Sequence, residues 1–210
     1  MISKQELQKP RTTSQLQQYV SKVFSQIKGD PYVVKEARLK KGLFKKLVEE
    51  LYPLTIFSIF KFPDDGAICE FKIGNQGYDA IATKISNGEK EYIEITWPID
   101  GHRQAQLARL LNDRGYTGLE ISDDFSKERK ETIHRVLSVA KNKALKDYTF
   151  PGRSSLIFLI DVFPYLYLDN RQHCLEIEYL MYELTQIDFR VDSVYLILMP
   201  YKKVIPIKEG

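Results

Sequence analysis

The sequence predicts a mixed α/β fold, with a central sheet flanked by helices, and three features carry that expectation. Helical periodicity dominates the N-terminal part. The period then drops to that of strands in a block of short Ile-, Phe-, Tyr- and Thr-rich runs. Further on, helical segments alternate with strands that are apolar on both faces.

Each element follows from its own residues. Leu16, Tyr19, Val20, Val23, Phe24 and Ile27 recur at helical spacing, and Gly29, Asp30 and Pro31 break the pattern. Helical spacing resumes with Leu39, Leu43, Phe44, Leu47, Val48 and Leu51, and Pro53 is expected to stop it. The runs TIFSIFKF (55–62), AICEFKI (67–73), YDAIATKI (78–85) and EYIEITW (91–97) read as an antiparallel meander, separated by the turn residues PDDG, GNQG and SNGEK. Asp100 is placed to cap a helix holding Leu107, Leu110 and Leu111, with Gly115 just past its end. A short strand, GLEIS (118–122), is expected next, then a helix with Ile133, Val136, Leu137, Ala140 and Ala144. SLIFLIDVF (155–163) is expected to be a central strand and the most buried element, because both of its faces are apolar. Residues 171–185 read as a helix and SVYLILM (193–199) as a second buried strand.

The 210 residues, 43% hydrophobic and 28% charged, suffice for one domain with a sizeable core. The organisation expected is an N-terminal helical segment, 1–30, and a single domain, 31–210. A net charge of +3 is too small to imply a nucleic-acid partner by itself. Cys69 and Cys174 lie in apolar runs and form neither a disulfide framework nor a zinc signature. The N-terminal stretch lacks an apolar h-region and no run is long enough for a membrane span, so a cytoplasmic protein without membrane contact is expected. There is no Gly-rich phosphate loop, no nucleophile elbow and no Ser/His/Asp grouping. His102, His134 and His173 show no metal spacing, although His102 falls close to the hairpin end.

The chemistry-bearing pattern is GYDAIATKISNGEKEYIEITWP. Asp79 opens one strand, Glu94 sits within the next, and Asn87-Gly88 between them signals a hairpin. A hairpin centred on that dipeptide sets Glu94 against Ile81 and Asp79 near Trp97, with both carboxylates on one face. Two carboxylates beside apolar strands are costly without a cation, and Mg²⁺ (or Mn²⁺) prefers such oxygen ligands. They also fit a plainer role, as polar positions on the solvent side of a half-exposed strand.

Tyr78-Asp79 followed by Glu94-Ile95-Thr96 resembles the PD-(D/E)xK, or restriction-endonuclease-like, nuclease superfamily over roughly residues 40–160. The resemblance implies a restriction-endonuclease-like core and divalent-metal-dependent hydrolysis of nucleic acid, with DNA as the expected substrate. It implies Asp79 and Glu94 as metal ligands and catalytic residues, Glu50 as a further ligand from the preceding helix, and Arg103 and Gln104 on the following helix as nucleic-acid contacts. Tyr78 replaces the motif Pro, and Thr96 replaces the motif Lys that would orient water and stabilise developing charge. Thr96 keeps only a hydroxyl. Lys143, Lys146 and Lys84 are the candidates for a relocated Lys, and Lys143 is taken as the catalytic one with Lys146 on the nucleic acid.

Plainer readings stand beside these: Glu50 as a partly covered charge at a helix end, Arg103 and Gln104 as ordinary first-turn residues. Lys40, Lys41, Lys45 and Lys46, like Lys127, Arg129, Lys130 and Lys141, read as solvated faces that would also suit a phosphate backbone. A second frame, Pro63-Asp64 with Glu70-Phe71-Lys72, spells the motif with its Lys but puts Asp64 at a turn tip. The alternative function is a non-catalytic module on the same fold, binding nucleic acid or a protein partner in a defence or toxin-neutralising setting. A homodimer is compatible with either.

Overall fold

The computed structural model describes residues 2–115, 126–160, 168 and 170–210. One seven-stranded mixed sheet runs in sequence order: β1 (Arg11–Thr12), β2 (Ala67–Phe71), β3 (Ala80–Lys84), β4 (Lys90–Thr96), β5 (Arg153–Ile160), β6 (Ser193–Leu198) and β7 (Lys203–Lys208). The first four strands pair antiparallel, β4–β5–β6 pair parallel, and β7 returns antiparallel on β6. The parallel pairs need crossovers, which the helices α6 (Gly101–Arg114), α7 (Ser126–Ala144) and α8 (Arg171–Thr185) lie within.

Alternation along the strands feeds two cores. Ile93, Ile95, Ile157, Leu159, Tyr195 and Ile197 face one layer, built from α1 (Lys4–Gln8), α2 (Thr13–Lys28), α3 (Pro31–Arg38), α4 (Leu43–Lys46) and α5 (Tyr52–Lys61). Leu156, Phe158, Ile160, Val194, Leu196 and Leu198 face α7 and α8. Two-sided cover explains the unbroken apolar runs of β5 and β6. β5 is an interior strand as expected, buried at all positions but Arg153, while β6 is buried at all six; β6 therefore equals or exceeds it. Residues 161–163 of SLIFLIDVF, and GLEIS, lie outside the described residues. Leu16, Val20, Val23 and Ile27 of α2 belong to the same core as the sheet.

The first part of the expected meander is not a strand. TIFSIFKF forms α5, and Pro53 sits in that helix's first turn instead of ending a helix. Leu54, Ile56 and Phe57 are buried together with Thr55 and Ser58, so the run lost its helical signature by being covered nearly all round. A π-helical turn, Leu47–Leu51, joins α4 to α5, and Tyr52 N–H reaches back to Leu47 O across it. Widening the helix there accommodates a Pro that has no N–H to give. Gly29-Asp30-Pro31 also starts a helix sooner than expected: Asp30 caps Tyr32 and Val33 N–H, and Pro31 opens α3.

Asp100 does cap α6 through Arg103 N–H, and Gly115 ends it at φ 76°. No helix among the described residues is long and apolar enough to cross a membrane.

Candidate functional site

The hairpin that carries Asp79 and Glu94 turns on four residues, not two. Lys84 N–H bonds Glu89 O and Gly88 N–H bonds Lys84 O, with Gly88 at φ 72°. Ala80 therefore faces Ile93 and Ile81 faces Tyr92. The expected pairing is corrected by two residues: continuing the register sets Asp79 opposite Glu94. Parity is unchanged. Asp79 is pinned at the strand entrance, its N–H on Ile93 O and its Oδ2 accepting Ile95 N–H at 2.8 Å.

Glu94 is the best-tied group of the site. Its Oε1 accepts Lys143 Nζ at 2.8 Å and Lys146 Nζ at 2.7 Å, and its Oε2 accepts the Tyr148 hydroxyl at 2.6 Å. Burial works against its charge, but these bonds outweigh burial and hold the carboxyl below its usual range. The same contact, together with burial, pushes the Tyr148 phenol up. Lys146 also donates to Gly77 O at 3.0 Å. Tyr148 and Phe150 continue into an aromatic group with Tyr78 and Tyr92 that walls the cleft beside Glu94.

Glu50 arrives from the π-helical turn. Lys46 Nζ lies 2.6 Å from Oε1 and 2.9 Å from Oε2. Burial first, then the charges of Asp79 and Glu49, push the Glu50 carboxyl up to about 7. Asp79 is raised as well, chiefly by burial and also by Glu94, against the pull of Ile95 N–H, Lys46 and Lys143. Asp79 thus feels Glu50 on one side and Glu94 on the other. Among the described residues, however, no group of three or more His, Cys, Asp and Glu side chains is gathered tightly enough to hold a metal ion.

Thr96 lies two residues from Glu94 on the same strand face, and its buried Oγ1 has no hydrogen-bond partner. Of the lysines weighed for the vacated position, Lys143 and Lys146 reach Glu94, while Lys84 pairs with Glu89 at the turn. Gln104 does not face outward as an open contact: its Oε1 accepts Lys40 Nζ at 2.7 Å, and Lys40 also bonds Glu49 and lies over the Trp97 ring. Arg103 is exposed and pairs with Glu128. In the second motif frame, Asp64 is exposed in a 3₁₀ turn and Lys72 pairs with Glu70. His102 and His134 are exposed and His173 is buried at the start of α8.

Two participants escape sequence reading. Lys46 reads as part of a solvated face, yet here it bonds Glu50. Tyr148 follows α7 with no motif to mark it. Its one signal is an aromatic residue in the polar loop KDYTF. Comparison with family models, with curated proteins and with solved structures gave no match to this chain.

Proposed function

We propose that this protein is a divalent-metal-dependent phosphodiesterase acting on nucleic acid, DNA in the first instance. In this reading it is a divergent PD-(D/E)xK nuclease with a restriction-endonuclease-like core, in which Lys143 and Lys146 replace the lysine missing at Thr96. One observation carries the reading: two ammonium groups from beyond the hairpin converge on Glu94, directly across from Asp79. The order of a carboxylate-bearing helix, an antiparallel hairpin and a parallel return strand supports it.

The donor set suits Mg²⁺. Asp79 keeps one oxygen without a printed bond, Glu50 and Asp79 are raised by burial and by like charge, and Thr96 Oγ1 is buried and unpartnered. Mg²⁺ is commonly held by one or two carboxylates plus substrate phosphates, so a full protein cage is not needed. Asp79 would hold the ion with Glu50 or Glu94 beside it, and when bound it supplies charge neutralisation at the phosphate and a more acidic water. Glu94 positions Lys143 and Lys146, whose ammonium groups face developing negative charge. Thr96 Oγ1 holds a water by hydrogen bonding, without adding charge. Tyr148 orients Glu94 from the other oxygen.

The test is Mg²⁺- or Mn²⁺-dependent cleavage of a mixed DNA and RNA substrate set. Asp79→Asn should lower the rate on the order of 10²–10³-fold while nucleic-acid binding persists. A wild type that cleaves none of the substrates and binds no metal refutes catalysis. One feature favours the alternative, a nucleic-acid- or protein-binding module: the carboxylates already have ammonium partners. That module would bind nucleic acid with a salt-sensitive affinity that falls when Lys143 and Lys146 are neutralised.

A further inference from the structure

Three carboxylates, Glu50, Asp79 and Glu94, share the cleft with three ammonium groups, Lys46, Lys143 and Lys146. The charges balance without a metal. Glu50 has a lysine across both oxygens, and Glu94 spends three of its lone pairs on Lys143, Lys146 and Tyr148. Only Asp79 has an oxygen with no printed bond. A divalent ion entering this site meets lone pairs already taken and a cluster whose net charge it would drive positive.

Depth sorts the two sets. The side chains of Lys46, Lys143 and Lys146 are 32%, 28% and 33% exposed, whereas those of Glu50 and Glu94 are 14% and 12% exposed. The ammonium groups form the rim and the carboxylates lie beneath. A phosphate backbone reaches the lysines first. Each lysine it draws outward uncovers a carboxylate oxygen and leaves a negative charge for a cation to balance.

From this arrangement we infer that nucleic acid and divalent metal bind the site cooperatively, the lysines acting as exchangeable stand-ins for the metal until phosphates take them up. The inference rests on the proposed metal-dependent function and adds its order of assembly. Linkage makes the coupling reciprocal: the factor by which nucleic acid tightens metal binding equals the factor by which metal tightens nucleic-acid binding.

The experiment is calorimetric titration of Mn²⁺ into the full chain, alone and saturated with a short oligodeoxynucleotide carrying hydrolysis-resistant phosphorothioate linkages. Mn²⁺ binding to the oligonucleotide alone is subtracted. Binding should tighten by about tenfold or more with the oligonucleotide, within the usual range of such couplings, and oligonucleotide affinity should rise by the same factor with Mn²⁺. Lys143→Met/Lys146→Met should bind Mn²⁺ more tightly than wild type without oligonucleotide and lose most of the coupling. Asp79→Asn should lose the oligonucleotide-induced Mn²⁺ site. If the double variant fails to fold, as its melting curve would show, the reciprocal wild-type measurement decides. Equal Mn²⁺ affinity with and without oligonucleotide overturns cooperativity and leaves the metal reading standing. No Mn²⁺ binding in either state overturns the metal reading, and the inference with it.

Discussion

Replacing Glu50 by Gln should make the metal-free protein more stable than the wild type at pH 8, and much less so at pH 5. Burial and the neighbouring charges of Asp79 and Glu49 push the Glu50 carboxyl from 4.5 to about 7, with Lys46 only partly opposing them. A carboxyl raised in the folded state favours folding while it is protonated there. Its contribution is complete below the unfolded value near 4.5 and is lost as pH rises through about 7. Between pH 5 and pH 8 the wild type should therefore lose about 2–3 kcal/mol that the Gln variant, which cannot ionise, does not lose. Relief of Asp79, which also feels Glu50, acts in the same direction. Groups that are unaffected by the substitution cancel in the difference. The assay is urea unfolding of both proteins at pH 5 and pH 8 in the presence of a chelator. An unchanged gap between the two proteins, or a wild type that gains on the variant at pH 8, would refute the argument that burial and like charge dominate at Glu50.

Leu159→Ala, at a side chain 1% exposed inside β5, should cost about 2–5 kcal/mol in urea unfolding; a surface-sized loss would show that the strand is not interior. Tyr148→Phe removes one of the three donors to Glu94 and should cost about 1–3 kcal/mol. It should also shift acid unfolding to higher pH, since Glu94 is held below its usual range and its stabilisation disappears as pH falls. Lys40→Met breaks the bonds to Glu49 and Gln104, so hydrogen exchange should quicken within α6 while the strands stay protected.

The legible parts of the chain were those where local chemistry and tertiary environment agree. Asp100 and Gly115 bound α6 because capping is decided within a turn of the helix. The apolar runs of β5 and β6 announced their own burial. TIFSIFKF misled because a helix buried nearly all round shows no polar stripe, and its Ile and Phe content imitates a strand. β7 was missed because Lys203, Pro206 and Lys208 dilute its pattern, as befits an edge strand. In the site, Asp79 and Glu94 were visible through their hairpin. Their register was not, since Asn87-Gly88 marks a turn without fixing whether it spans two or four residues.

The cations were hidden for a topological reason. β4 closes the antiparallel half of the sheet and opens the parallel half, so the chain must leave its far end and return over the sheet to start β5 alongside it. The return ends with the last turn of α7 and the segment through Tyr148 and Phe150. That brings Lys143 and Lys146 to Glu94 across sequence separations of 49 and 52 residues. Nothing in ExT predicts that approach, because the crossover specifies it and the motif does not. The same topology accounts for the vacancy at Thr96. Once the crossover delivers two ammonium groups to Glu94, a lysine two residues further along β4 would add a third like charge to a half-buried face. A neutral hydroxyl avoids that repulsion and still reaches water. Thr96 and the Lys143/Lys146 pair are thus one arrangement: the charge was relocated to a mobile rim, where phosphate can compete for it, instead of being fixed on the strand.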